Sequence, residues 1–311
     1  MRSVLVIGAG QLGSRHIESL VGLDGVNIIA YDPSVESIKR VQQHISNLGK
    51  HADNIHYTSN FPRNGEFDFV VVATNSDVRL AVIEELLEFN KVGFLILEKV
   101  LFSNVEDLEK ADRAIKKHGI RCYVNCPLRA FQFFKDLKLK SNPEKTLRSV
   151  EVKGTNWGLA CNSIHFIDLV EFLTAAKIQR VDFKEVDSAL IESKRTGFSE
   201  FLGKISLEYS NGTSISLECQ TGDAFQRGIK FVFDSYTVSI DETTGTVTVQ
   251  GKELDFENYK PEYQSTLTAR YFNESLSGEI KSLPSFEISY SQHKALLDSM
   301  ESHFGKKIQI T

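Results

Sequence analysis

Val4-Leu5-Val6-Ile7-Gly8-Ala9-Gly10-Gln11-Leu12-Gly13 opens the stretch that decides the fold; an amphipathic segment, a second apolar run at Val26-Asn27-Ile28-Ile29-Ala30-Tyr31, and Asp32 complete it. A strand entering a glycine triplet, a helix-length segment, a second strand and an acid at its end make a βαβ unit suited to a dinucleotide. Gly8 allows a tight turn off the first strand, Gly10 lets backbone approach a pyrophosphate, and Gly13 lets the helix pack close to the sheet. Gln11 and Leu12 complete this cofactor loop. The pyrophosphate is expected at the helix N-terminus, where free N–H groups and the dipole favour negative charge. Asp32 follows Gly13 by about 20 residues, the spacing at which a carboxylate accepts hydrogen bonds from an adenosine ribose. That carboxylate would repel a 2′-phosphate, so NAD is expected rather than NADP.

Working outward, the rhythm of a doubly wound sheet continues. Val35, Ile38, Val41, Ile45 and Leu48 recur at helical spacing, and Ile55 with Tyr57 make a short strand. Phe67 to Thr74 is apolar apart from Asp68 and the closing Thr74, as expected of a parallel strand buried on both faces. Helices over 77–90 and 105–118 alternate with strands over 94–99 and 121–125, which implies right-handed crossovers and a parallel sheet. Ligands of such sheets bind beyond the carboxyl ends of the strands. That rule gathers the loop from Gly8 to Gly13, Asp32, Thr74, Asn75, Glu98 and Lys99 around one crevice.

After about residue 126 the pattern changes to long strands over 149–157, 201–209, 214–220, 230–233 and 237–240. Asn211-Gly212 marks a tight hairpin turn between two of them. Helices are predicted over 163–175 and 290–303. The expected architecture is an α/β Rossmann domain over 1–121 and an α+β domain with a mostly antiparallel open sheet over 122–311.

The 311 residues are 41% hydrophobic and 25% charged, enough for a large core, and the net charge of −5 gives no reason to expect a nucleic-acid partner. No apolar stretch reaches the roughly 18 residues needed to span a bilayer. Val4 to Ile7 runs straight into the glycine motif and reads as a buried strand, so a cytoplasmic protein is expected. Cys122, Cys126, Cys161 and Cys219 lack the paired spacing of a zinc site and read as reduced thiols; no metal is expected, although Cys161 and His165 are four apart.

The ordered motifs Gly8 to His16, Ala73-Thr74-Asn75, Glu98-Lys99-Val100, Asn125 with Arg129, and His165-Phe166-Ile167-Asp168 resemble those of the glucose-fructose oxidoreductase, inositol dehydrogenase and rhizopine catabolism (Gfo/Idh/MocA) family along the whole chain. The resemblance implies NAD(P)-linked oxidation or reduction of sugars, cyclitols or nucleotide sugars, and a homodimer or homotetramer formed through the C-terminal sheet. Two departures stand out. The family's Glu-Lys-Pro is Glu98-Lys99-Val100, and the Asp that many members carry four residues before the histidine is Cys161. A cysteine cannot hold an imidazolium by charge unless it is a thiolate. The string from Asn156 to His165 is similar to a branch associated with bacterial surface sugars, which points to a nucleotide-linked or acidic sugar.

The chemistry also follows from residue types. Hydride leaves a C–H bond only as the neighbouring hydroxyl loses its proton, so a base must stand near the alcohol oxygen. His165 is the candidate acid/base, its side-chain type titrating nearest neutral pH. Lys99, at the end of a buried strand, is the candidate donor that stabilises a developing alkoxide, or itself the base. Asp168 shares a helical face with His165 as a substrate ligand or as its hydrogen-bond partner. Arg129 binds substrate or cofactor, or pairs with an acid; Trp157 and Asn162 are candidate pocket walls. The leading expectation is an NAD-dependent sugar dehydrogenase or reductase. The alternatives are an enzyme that retains NAD around an epimerisation, elimination or glycoside cleavage, and a non-catalytic dinucleotide sensor.

Overall fold

The computed structural model describes residues 1–49 and 53–311. In its first part β1 (Arg2–Ile7), α1 (Gln11–Leu20), β2 (Val26–Tyr31), α2 (Val35–Asn47), β3 (Ile55–Thr58), β4 (Glu66–Val72), α3 (Arg79–Phe89), β5 (Lys91–Leu97), α4 (Val105–His118) and β6 (Arg121–Val124) alternate. The strands form one sheet in the order β3-β2-β1-β4-β5-β6, all pairs parallel. Helices covering both faces explain the unbroken apolar runs: Val4 to Ile7, Phe69 to Val72 and Leu95 to Leu97 are all at most 1% exposed. The order reverses between β1 and β4, the switch point beside which ligands bind in such sheets. Ser34 starts α2 by accepting the Ser37 amide with its hydroxyl.

A 3₁₀ turn at Pro127–Ala130, α5 (Gln132–Ser141) and α6 (Pro143–Thr146) lead to β7 (Leu147–Thr155) and α7 (Leu159–Thr174). β8 (Ile178–Glu192), β9 (Ser199–Tyr209), β10 (Ser214–Gln220), β11 (Gln226–Phe233), β12 (Thr237–Asp241) and β13 (Thr246–Gln250) follow, then α8 (Gln264–Leu276) and α9 (Phe286–Phe304). The second sheet runs β13-β12-β11-β7-β10-β9-β8 and is antiparallel except for the parallel β7–β10 pair. The β9–β10 hairpin turns at Asn211-Gly212, as the sequence predicts, with Gly212 at φ 85°. α7 begins four residues before the expected start because Glu200 of β9 caps it: its carboxylate accepts the Ala160 amide at 2.7 Å and the Cys161 amide at 3.1 Å.

The chain divides into two compact units. The first comprises Met1–Phe102, Glu106–Asn125 and Glu262–Ser289; the second comprises Ser103–Val105, Cys126–Pro261 and Tyr290–Thr311. Residues 262–289, read from the sequence as part of the second domain, thus pack with the first. The reason is local: Ala269 of α8 donates its amide to Ser19 of α1 at 2.9 Å, and the Phe272 ring sits edge-on to Phe69 of β4. Among the described residues no helix is long and apolar enough to cross a membrane.

Candidate active site

The glycine loop leaves β1 at Gly8, whose φ of 95° is a left-handed conformation that favours glycine. A Cβ on Gly13 would lie 1.7 Å from the Gly8 carbonyl oxygen, so only glycine lets α1 close onto the loop. Around Gly10 a Cβ would meet nothing within 4 Å, and no side chain caps α1 there. Backbone with open space beside it at the first turn of a helix is a cradle for a phosphate group. Asp32, at the end of β2, accepts the Ala9 amide at 2.7 Å with one oxygen and the Ser34 amide at 2.8 Å with the other. The carboxylate is therefore fixed against the loop while remaining half-buried. These features fit NAD: loop, acid and helix start converge at the carboxyl ends of β1 and β2.

At the neighbouring strand ends, Thr74 is half-buried and Asn75 is exposed. Thr74 Oγ1 is buried and has no hydrogen-bond partner among the described residues. Glu98 and Lys99 follow β5, and the Lys99–Val100 peptide is cis. Lys99 is half-buried, whereas Glu98 is only 3% exposed. Glu98 Oε1 contacts His16 Nε2 at 2.8 Å and accepts the Asn125 amide nitrogen. The network extends from His16 Nδ1 to Thr268 Oγ1 at 2.8 Å, and from Asn125 to Gln264 Oε1 at 2.8 Å. Burial alone would raise the Glu98 carboxyl, but His16, Asn125 and the nearby Arg79 charge together hold it below the usual carboxylate range. Glu98, expected at the cofactor, thus has its carboxylate engaged by His16 of α1 and by Asn125, just after β6, next to Lys99 in sequence.

In the second unit, α7 buries most of its surface, leaving Cys161, Asn162 and His165 half-exposed within two turns. Cys161 Sγ lies 3.7 Å from the Gly158 carbonyl oxygen, and Asn162 donates to the Trp157 carbonyl. Asp168 is wholly buried, and its partner is Arg129 rather than His165. Arg129 Nε donates to Oδ2 at 2.8 Å and Nη2 donates to Oδ1, a two-pronged ion pair. Gln292 of α9 donates to Asp168 at 3.3 Å and to Glu171 at 2.9 Å. Burial pushes the Asp168 carboxyl up, with Glu171 adding to the rise, and this outweighs the opposing pull of Arg129. Asp168, expected as a substrate ligand or partner of His165, is thus engaged inside the second unit by Arg129 and Gln292. Trp157, expected as a pocket wall, is a core residue: it is 2% exposed, donates Nε1–H to the Glu218 carbonyl at 2.8 Å and meets Phe166 edge-on.

The first unit gathers the glycine loop, Asp32, Thr74, Asn75 and Lys99 at one end of its sheet; the second carries His165 and Asn162 on one stripe of α7. Sequence reasoning missed Arg79, Glu200 and Gln292. Only Arg79 leaves a trace in the sequence, a cation at the start of a helix whose first turn holds no acid.

Residues 2–126 match the profile of GFO_IDH_MocA, "Oxidoreductase family, NAD-binding Rossmann fold". No curated protein matches the chain in sequence. Among solved structures the chain is similar to the WlbA dehydrogenase of Bordetella pertussis in complex with NADH and UDP-GlcNAcA. That match has a TM-score of 0.70 and 15% identity over 100% of this chain and 98% of that one. It is also similar to UDP-N-acetylglucosamine 3-dehydrogenase of Acidithiobacillus ferrooxidans, with a TM-score of 0.67 and 14% identity over 98% of each chain. A third similar structure is myo-inositol dehydrogenase of Lactobacillus casei with NAD(H) and myo-inositol, at TM-score 0.68 and 16% identity over 97% of this chain and 95% of that one. At these identities the likeness establishes the fold.

Proposed function

We propose that this protein is a member of the Gfo/Idh/MocA oxidoreductases, whose NAD-binding Rossmann model residues 2–126 match, and an NAD-dependent dehydrogenase or reductase acting on a CH–OH carbon of a sugar derivative. The observation that carries the reading is the nucleotide cradle, in which Asp32 is fixed by the Ala9 and Ser34 amides beside an open Gly10. Support for the substrate class comes from the neighbours named with UDP-GlcNAcA and with myo-inositol. A nucleotide-linked or acidic sugar is the class we favour.

When bound, NAD supplies the hydride acceptor, or the donor in reverse. Lys99 donates a hydrogen bond to the reacting oxygen and its positive charge stabilises the alkoxide that develops there. His165 takes the hydroxyl proton during oxidation and returns it during reduction. Asn162 orients the substrate, and Arg129, held by Asp168, shapes the second unit beneath α7. The uncovered face of the seven-stranded sheet, which carries Lys153 and Glu218, is the face through which a homodimer or homotetramer would form. The four free thiols suit a cytoplasmic location.

The test is calorimetric titration of nucleotide-stripped protein with NADH and NADPH, followed by turnover of UDP-sugars and inositols by wild type, Lys99→Ala and His165→Ala. The expected result is NADH binding, with turnover lost in both variants. Turnover that survives both substitutions removes these side chains from the chemistry, and absence of nucleotide binding removes the oxidoreductase reading.

A further inference from the structure

Arg79 is the first residue of α3 and is only 1% exposed. A buried cation at a helix N-terminus opposes the helix dipole and loses its hydration, so it persists only where its donors are well met. Here the two terminal nitrogens are met by backbone. Nη1 donates to the Val100 carbonyl and, at 2.7 Å, to the Leu101 carbonyl; Nη2 donates to the Thr74 carbonyl. These carbonyls follow β4 and β5, adjacent strands in the sheet, so one rigid guanidinium ties two strand-end loops together. Lys99 therefore lies between two anchors. Glu98 before it is held by His16 and Asn125, and Val100 and Leu101 after it are held by Arg79.

We propose that Arg79 is a positioning residue that fixes the backbone carrying Lys99 against the Thr74-Asn75 loop, so that both strand ends present their side chains in one set geometry. This rests on the reading of Lys99 as a catalytic residue. A lysine in the same place would keep the charge but not the planar fork, so charge alone does not perform the task.

The test compares wild type, Arg79→Gln and Arg79→Lys by trace labelling with acetic anhydride, reading by mass spectrometry the acetylation of Lys99 relative to the exposed Lys39 of α2. Amide hydrogen exchange of peptides covering 73–76 and 98–103 is read against a control peptide over 214–220. Arg79→Gln is expected to change the Lys99 to Lys39 ratio by about twofold or more, the low end of what one lost hydrogen bond is worth, and to speed exchange in both loop peptides but not in the control. Arg79→Lys is expected to do the same to a smaller extent, and it carries the test if Arg79→Gln does not fold. An unchanged ratio in a folded variant, or faster exchange spread evenly over the chain, overturns the proposal. Full turnover by Lys99→Ala would instead remove the catalytic reading of Lys99 and leave the clamp standing, so the two failures are distinguishable.

Discussion

Replacing Asp32 by alanine removes the acceptor of two backbone amides, Ala9 at 2.7 Å and Ser34 at 2.8 Å, and the carboxylate expected to receive the adenosine ribose. Hydrogen bonds to a charged group contribute about 1.5–3 kcal/mol each, and because Asp32 is half-buried the lower part of that range applies. Water can reach both released amides, which softens the effect on folding. The ribose contact has no substitute, so its loss should weaken NADH binding about 10- to 100-fold, at 1.4 kcal/mol per factor of ten. NADPH should respond in the opposite sense, because the charge that repels a 2′-phosphate is gone. The NADH to NADPH preference therefore narrows from both sides. Asp32→Asn gives the intermediate case: its oxygen accepts one amide while its NH₂ faces the other N–H. Calorimetric titration of stripped protein measures all six Kd values. An Asp32→Ala protein with wild-type NADH affinity and an unaltered NADH to NADPH ratio would refute the assignment of this carboxylate to the ribose.

The two inner glycines should separate folding from binding. Gly10→Ala, whose Cβ meets nothing within 4 Å, should melt like wild type yet bind NADH at least about tenfold more weakly, whereas Gly13→Ala, with its Cβ 1.7 Å from the Gly8 oxygen, should lose both stability and binding. Equal NADH affinity for Gly10→Ala and wild type counts against pyrophosphate at this loop. For Glu98 the folded carboxyl lies below its ordinary value of about 4.3, so the stabilisation it gives is complete above that pH and is lost as pH falls through the lower, folded value. The stability gap between wild type and Glu98→Gln, measured by thermal melts, should narrow on acidification below about pH 4.3; a gap that widens there contradicts the direction assigned. Asp168→Ala strands Arg129 as a buried unpaired cation and should destabilise the protein by about 3–5 kcal/mol, while Arg129→Met with Asp168→Leu should cost far less. Urea melts that rank the double variant below the single one would show that the pair itself, rather than its broken half, carries the stability.

What was legible in the sequence was whatever the backbone itself demands. Gly8 and Gly13 could be assigned separate tasks because one needs a positive φ and the other a missing Cβ, and both needs are local. The strands of the first sheet were legible because burial on both faces leaves unbroken apolar runs such as Phe69 to Val72. β8 was not, since its edge position leaves charges such as Arg180, Asp182, Lys184 and Glu185 along it and hides the alternation. α8 was unread for a different reason: nothing in its ordinary amphipathic pattern says that it packs back onto α1 across some 250 residues of sequence.

The site residues divide along the same line. Asp32 and Lys99 could be named as candidates because motif spacing places them at strand ends, whereas Asp168, named as a substrate ligand or as a partner of His165, rested on a shared helical face. Spacing on one helix states which side chains share a face, but not which partner that face meets. Asp168 and His165 are three apart, yet Asp168 points into the core, where Arg129 supplies two donors aligned with its two oxygens, and His165 stays half-exposed. A fixed two-pronged pair in a dry setting outcompetes a single imidazole contact nearer water. The proton chemistry assigned to His165 therefore does not draw on Asp168, whose oxygens are taken by Arg129. Cys161, one turn earlier on α7, is the neighbouring side chain whose substitution tests what tunes this base. A pH profile of turnover with a limb that disappears in His165→Ala is the expected outcome. A profile that shifts by about a unit or more in Cys161→Ser would show that the thiol tunes the histidine.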